Sequence, residues 1–498
     1  MRLNMLAFSA LFFCKSVLFS QITVPNPSKS DFSGTLSFLA SDWMQGRKAT
    51  EKGGFMAADY IASLMKSYQL VPYNKTDSNY FQDFKIQEHT INKVVFQIQK
   101  GAETIRLSPE TDFEVTPITH SLKKEAQIVF LGYGLNNIKE GYDDYKNQNV
   151  KDKIVIVLSG FPSHRDTASA VYQKFKKLYP EENDLEETKV KNAVNKGAIA
   201  LIIIDLKSSF KPENSKENAV FHSLENSNAV SIPIFRITQT IALKLVDEIS
   251  ISEVEKKAAL KLQSSVILLK NTTCHFAIEL QTKKLAVRNV LGMISGRDTT
   301  KTIIIGAHYD HLGIKNDSIY NGADDNASGT SGMLALAKNW SESKIKPPFN
   351  LLFASWTAEE MGLLGSEYFA QNLNINSQKI VLALNMDMIS RSAPEDKTHR
   401  ILSIGIQKGN SDLKEIANAV NNKLSNPFTL DLWETNGHSG SDYASFSAKG
   451  IPIMTFFSGF HDDYHSPRDI ASKVDLYKIK DVLFIVNGSL IKFIENQN

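Results

Sequence analysis

Apolar positions fall in distinct rhythms along this chain. Between Phe32 and Leu70 they recur at helical spacing, and Met56, Ala57, Tyr60, Ile61, Leu64 and Met65 predict a helix with one buried face. From about Lys93 to Thr119 the pattern shortens to alternation, as in Val94, Phe96 and Ile98, which predicts short strands. Residues from about 121 to 264 read as a separate inserted module. It holds a β-rich run Ala126–Gly132, a buried strand Ile154–Leu158, a Lys-rich helical stretch ending at Gly197, and an apolar strand Ala198–Ile204. In the last third, apolar runs alternate with helical stretches, the pattern of an α/β domain with a buried sheet flanked by helices. Strands fit Thr302–Ile305, Asn350–Ser355, Ile380–Leu384, Ile401–Ile406 and Pro452–Phe457. Helices fit Gly329–Trp340, Gly362–Asn372, Ser411–Asn422 and Asp475–Glu495.

The polar residues gain meaning from where they interrupt this pattern. His308, Glu359, Glu360 and Asp387 each follow an apolar strand, the place where open α/β sheets collect ligands. In IIIGAHYDHLG, His308 sits at a rigid strand edge and Asp310 is placed to accept its second ring N–H. A strand-end His by itself is more often structural. NGADDNASGTSG then sets Asp324 and Asp325 in a Gly-rich turn before a helix, where Asp324 or Asn326 serves equally well as an N-cap. Adjacent carboxylates in an apolar setting are costly unless a cation neutralises them. LLFASWTAEEMGLLGS supplies Glu359 and Glu360, ALNMDMIS supplies Asp387, and HDDYHSPRD supplies His465 in a polar loop. Together these nitrogen and oxygen donors suit a two-metal site that zinc accepts readily, although cobalt or manganese would accept the same set.

Composition narrows the alternatives. The 498 residues suggest two or three domains. With 42% hydrophobic and 22% charged residues, the chain has the balance of a globular protein. A net charge of +2 points to neither nucleic acid nor an anionic membrane. Arg2 and the short apolar run Leu6–Phe13 predict a signal peptide over residues 1–20, and hence a secreted or periplasmic product with no integral membrane segment after cleavage. Cleavage leaves Cys274 as the one cysteine, so no internal disulfide is expected.

GAHYDH, NGADDNASG, AEEMGLLGS, NMDMIS and YHSPRD resemble, in order and context, the five metal-binding blocks of metallopeptidase family twenty-eight, the two-zinc aminopeptidases. SFLASDWMQGRKATEKGGFMAADYIASLMK and YFQDF are similar to the N-terminal segment of its members. VFLGYGLNNIKEGYDDYKNQNVKDKIVIVLSG is similar to the protease-associated domain often inserted in them. The resemblance implies a zinc aminopeptidase (phosphorylase/hydrolase-like) fold with a mixed, mostly parallel sheet. It would divide as the N-terminal part of the peptidase domain at 29–120, an inserted β-rich module at 121–264 and the catalytic domain at 265–498.

It further implies two Zn2+ ions, with His308 and Asp387 on one, Glu360 and His465 on the other, and Asp325 bridging, followed by a cis peptide. Asp310 would stand behind His308, Glu359 would be the general base, and Tyr464 would stabilise the oxyanion. Ser441 and Asp442 match a substrate-side loop, in which Tyr443 replaces the usual His. The substrates implied are peptide or protein N-termini. The same family contains a carboxypeptidase, which would need a cation such as Arg391 to grip a terminal carboxylate, and the metal-free transferrin receptor, a noncatalytic binding protein. A glutaminyl cyclase, with one zinc, fits the donor set less well.

Overall fold

The computed structural model of the protein describes residues 22–73, 79–109, 111–180, 182–206, 216–225, 232–245, 250–373, 379–437 and 440–497; the signal peptide expected over 1–20 lies outside them. One 16-stranded sheet dominates the described residues. At its centre Asp298–His308 pairs in parallel with Phe349–Trp356 on one side and Lys379–Met386 on the other, and Ile453–Phe457 continues the parallel set. Ile401–Gln407 joins antiparallel beyond it and carries Thr429–Thr435 at the edge.

The central strands carry apolar residues on both faces because both faces pack into a core. Ile303 and Ile305 enter one core with Phe32, Ile61, Leu334 and Leu483, while Ile304 enters another with Leu352, Trp356, Phe369 and Phe446. Lys52–Ser67 forms the expected helix, burying Ala57, Ala58, Ile61 and Met65. Leu476–Asn496 begins at Asp475, whose carboxylate accepts the N–H groups of Tyr477 and Lys478.

A second group of parallel strands, Leu122–Leu131, Ile154–Leu158, Ala200–Asp205 and Ile234–Thr238, has its own two cores. The alternating segment expected as short strands from 93 to 119 instead opens inside one strand of 20 residues, Phe81–Lys100, followed by Glu103–Leu107 and Phe113–Val115. Phe81–Lys100 lies antiparallel to the 29-residue strand Val266–Ile294, with a register shift at Glu279/Leu280. This long ribbon joins the two regions: Val290 to Ile294 pair with the central sheet and Val266 to Leu268 with Leu122–Leu131. Ile91, Phe96, Ile98, Phe113, Ile118, Leu269, Phe276 and Ile278 accordingly pack in the second core. Cys274 is buried there with its thiol free. Among the described residues no helix is long and apolar enough to cross a membrane.

Candidate metal centre

Four strand ends deliver the polar residues to one crevice. His308 is the last residue of its strand, the Glu359–Glu360 turn follows Phe349–Trp356, Asp387 follows Lys379–Met386, and the loop holding His465 follows Ile453–Phe457. Asp325 comes from a separate segment, the turn Ala323–Ser328 that begins after Gly322, and its peptide bond to Asn326 is cis.

The carboxylate of Asp325 faces two ways. Its Oδ1 lies 3.4 Å from His308 Nε2, which is also 3.4 Å from Asp387 Oδ1 and 3.9 Å from Glu359 Oε2. Its Oδ2 lies 3.1 Å from His465 Nε2, itself 3.1 Å from Glu360 Oε2. His308 Nδ1 donates to the main-chain carbonyl of Asp310 at 3.2 Å, which leaves the Nε2 lone pair facing Asp325 and Asp387. Asp310 does stand behind His308, but its carboxylate is 3.9 Å from Nδ1 and accepts the N–H of Glu359 at 3.1 Å. It therefore orients the Glu359 turn, while its backbone orients the imidazole.

The surrounding turns are tied down by polar groups that sequence left ambiguous. Asp324 accepts the N–H groups of Ser390 and Arg391, not those of the following helix, whereas Asn326 Oδ1 accepts from Gly329 N and thus does the capping. Asp469 accepts from the main chain of Asp324 and Asp325. Beneath them Arg47, wholly buried, donates to the carbonyls of Tyr309, Leu39, Asn321 and Gly322. Its SDWMQGR context gave no hint of this role. His311 was missed as well: its Nδ1 is 2.7 Å from Glu360 Oε1 and 3.7 Å from Asp325 Oδ2.

Charge suits the crevice to a cation. The carboxylates of Asp310, Asp325, Glu359, Glu360 and Asp387 converge on three imidazoles, while Arg47 spends its donors on carbonyls. Asp387 Oδ1, Glu360 Oε1 and both ring nitrogens of His311 have no hydrogen-bond partner among the described residues. Two donor groups, His308–Asp325–Asp387 and His311–Asp325–Glu360, each lie within 4.8 Å, a spacing that suits a metal ion in each.

The titration directions agree with an anionic pocket. Burial opposes charge on His308, yet Glu359 and Asp387 outweigh it and hold the ring well above its usual pKa. Burial likewise opposes charge on His465, but Asp325 and Glu360 push it up to about 9. The field that draws a proton here draws a cation equally well. Burial raises Glu359 well above the usual carboxyl range, and Asp387, Asp442 and Glu360 add to that. A carboxylate made more basic in this way is better suited to accept a proton.

Beside Glu359 and Asp387 opens a cavity of about 100 Å³ walled by Met388, Trp433, Tyr443, Phe457, Phe460 and Tyr464. Tyr464 stacks on His465 with ring centroids 3.8 Å apart, and burial together with nearby carboxylates keeps its hydroxyl protonated. Asp442, fully buried, is pushed up to about 7 by burial, and Ser441 accepts from Asn385. Arg391, the candidate carboxylate grip, lies 2.9 Å from Asp463 and is engaged there.

A twisted, mostly parallel α/β sheet with clustered His and carboxylate donors at its carboxyl edge defines a metallohydrolase-type centre. Residues 289–488 match the model of Peptidase family M28, and residues 124–245 match that of the PA domain. The chain thus carries a region that matches peptidase family M28, with a PA-domain match ahead of it. It is 30% identical over 194 residues to a protein named probable leucine aminopeptidase 2 of Aspergillus fumigatus, covering 38% of this chain and 36% of that one. It is 31% identical over 174 residues to leupeptin-inactivating enzyme 1 of Streptomyces exfoliatus, covering 34% and 36%. The chain thus spans about a third of the length of these curated relatives. Among solved structures it is similar to an aminopeptidase from Aneurinibacillus sp. strain AM-1, at 22% identity, 93% coverage of each chain and a TM-score of 0.56, a likeness of fold.

Proposed function

We propose that this protein is a zinc-dependent aminopeptidase that removes N-terminal residues from peptides outside the cytoplasm. The observation that carries this reading is Asp325, whose two oxygens face two separate groups of His and carboxylate donors. His308 and Asp387 would hold one Zn2+, Glu360 and His465 the other, and Asp325 would be shared. When bound, two such ions lower the pKa of a water and polarise a carbonyl.

The chain's own residues do the rest. Glu359, its basicity raised by burial, takes the proton of the attacking water and passes it to the leaving amine. Asp310 fixes both partners, His308 through its carbonyl and Glu359 through its carboxylate. The protonated Tyr464 hydroxyl donates to the carbonyl oxygen as negative charge develops. The aromatic cavity beside Glu359 receives an apolar side chain. An N-terminal ammonium suits the acidic crevice, whereas a terminal carboxylate would meet Asp387 and Glu359 with Arg391 already engaged by Asp463. That disfavours the carboxypeptidase reading. A leader over residues 1–20 supports export, and we assign 121–264 to the PA module inserted between 29–120 and 265–498.

The test is a pair of dipeptides, one blocked at the amine and one at the carboxylate, given to the metal-replete protein. Cleavage restricted to the free-amine substrate, and abolished by a chelator, is expected. Preference for the free carboxylate, or activity indifferent to chelation, would overturn the reading.

A further inference from the structure

The proposed ligand set leaves His311 without a task, although its ring is closely confined. Its side chain is fully buried. Its main-chain N–H donates to Arg47 O at 3.3 Å, and the Arg47 guanidinium in turn fixes the carbonyl of Gly322. Gly322, with φ of +55°, lies against the imidazole so closely that a Cβ there would stand 2.5 Å from the ring Cγ and 2.1 Å from the Asp325 carbonyl oxygen. Only glycine leaves room for this ring in this position.

The held ring aims Nδ1 at acceptors. Nδ1 is 2.7 Å from Glu360 Oε1, yet the two atoms are misaligned for a hydrogen bond, and both lack any other partner among the described residues. Two lone pairs do not approach this closely unless a proton or a cation relieves the repulsion. A cation shared by the two atoms relieves that repulsion without requiring them to be aligned on each other. Nδ1 also reaches to 3.7 Å from Asp325 Oδ2, so it shares the space that Glu360 and His465 face.

We propose that His311 is a metal ligand, the fourth protein donor on the Glu360 side, and that the two metal positions are therefore unequal. Asp325, Glu360, His465 and His311 close one position with four protein ligands, the pattern of a permanently held ion. His308, Asp325 and Asp387 give the other only three, the pattern that keeps a coordination place open for water or substrate. The open position is the one next to Glu359 and the aromatic cavity. This inference rests on the two-ion reading above.

X-ray absorption of the zinc-loaded full chain counts imidazoles directly. Three imidazoles shared over two zincs is the expected result; two would overturn the proposal while leaving the two-ion reading standing. Fewer than two bound ions in the unaltered protein would overturn both. In His311→Ala, checked for native fold by circular dichroism, one of the two zinc affinities should fall about 10-fold or more, with the other nearly unchanged. The absorption spectrum of the cobalt-substituted variant should lose intensity as the closed position takes up water. Unchanged affinities and an unchanged cobalt spectrum would reduce His311 to a packing residue and end the proposal. Should the variant not fold, the imidazole count in the unaltered chain decides.

Discussion

At the carboxyl ends of Asp298–His308, Phe349–Trp356 and Lys379–Met386 stand His308, Glu359, Glu360 and Asp387; at the carboxyl ends of Ile154–Leu158, Ala200–Asp205 and Ile234–Thr238 stand Ser159, Asp205 and, nearby, Lys189. Both are crevices of parallel sheet, the geometry that invites ligands. Their charges differ. In the second crevice two cations stand among the acids: Arg236 lies 2.5 Å from Glu186, and Lys189 Nζ donates to the carbonyls of Leu158 and Gly160. In the first, carboxylates outnumber their protein partners, and the surplus is what calls for metal. Topology provides the crevice, and unbalanced charge makes it a site.

The comparison is broken most severely at the shared carboxylate. Asp325→Ala should release both ions and leave turnover at background; metal analysis that still finds two zincs would remove Asp325 from its bridging role. Glu359→Ala comes next. It should retain the metals and lose about 100- to 10,000-fold in turnover, the range for a missing acid/base group, as read by kcat with metal content measured in parallel. Tyr464→Phe should cost about 100-fold in kcat with KM little changed, because its hydroxyl acts on charge that develops only during reaction.

Lys189→Met sharpens the contrast from the other side. It should leave peptidase activity unaltered and destabilise the fold by about 1–3 kcal/mol, since two buried carbonyls lose their donor. Burial pushes the Lys189 amine down to about 7 from its ordinary 10.5. Between those values the unfolded chain holds a proton that the native chain lacks, so stability rises with pH across that window and is lowest below it. The denaturation midpoint of the wild type should therefore gain more between about pH 7.5 and pH 9.5 than that of Lys189→Met.

Much of the centre was legible because its residues break apolar runs. A carboxylate after ALNM is costly without a partner, and a histidine after IIIGA, commonplace alone, gains weight in its company; the structure brings His308, Asp325, Glu360, Asp387 and His465 into one crevice. His311 stayed hidden since, in HYDH, a second histidine three residues on looks like a neighbour of the first; the chain past the strand end, with the His311 N–H on Arg47 O, brings it to Glu360 in the other donor group. Arg47 was illegible because its burial depends on carbonyls contributed from positions 309, 321 and 322. The long ribbon was broken up in the reading because polar Asn92 and Lys93 interrupt its alternation, and pairing over Phe81–Lys100 carries the strand through them. Long-range pairing, not local pattern, decides such elements.

The central claim, two cations held on either side of Asp325, is tested most directly by anomalous diffraction at the zinc edge from crystals of the full protein. Two peaks are expected, one beside Oδ1 with His308 and Asp387 and one beside Oδ2 with Glu360 and His465. A single peak, or none in crystals of active enzyme, would contradict it.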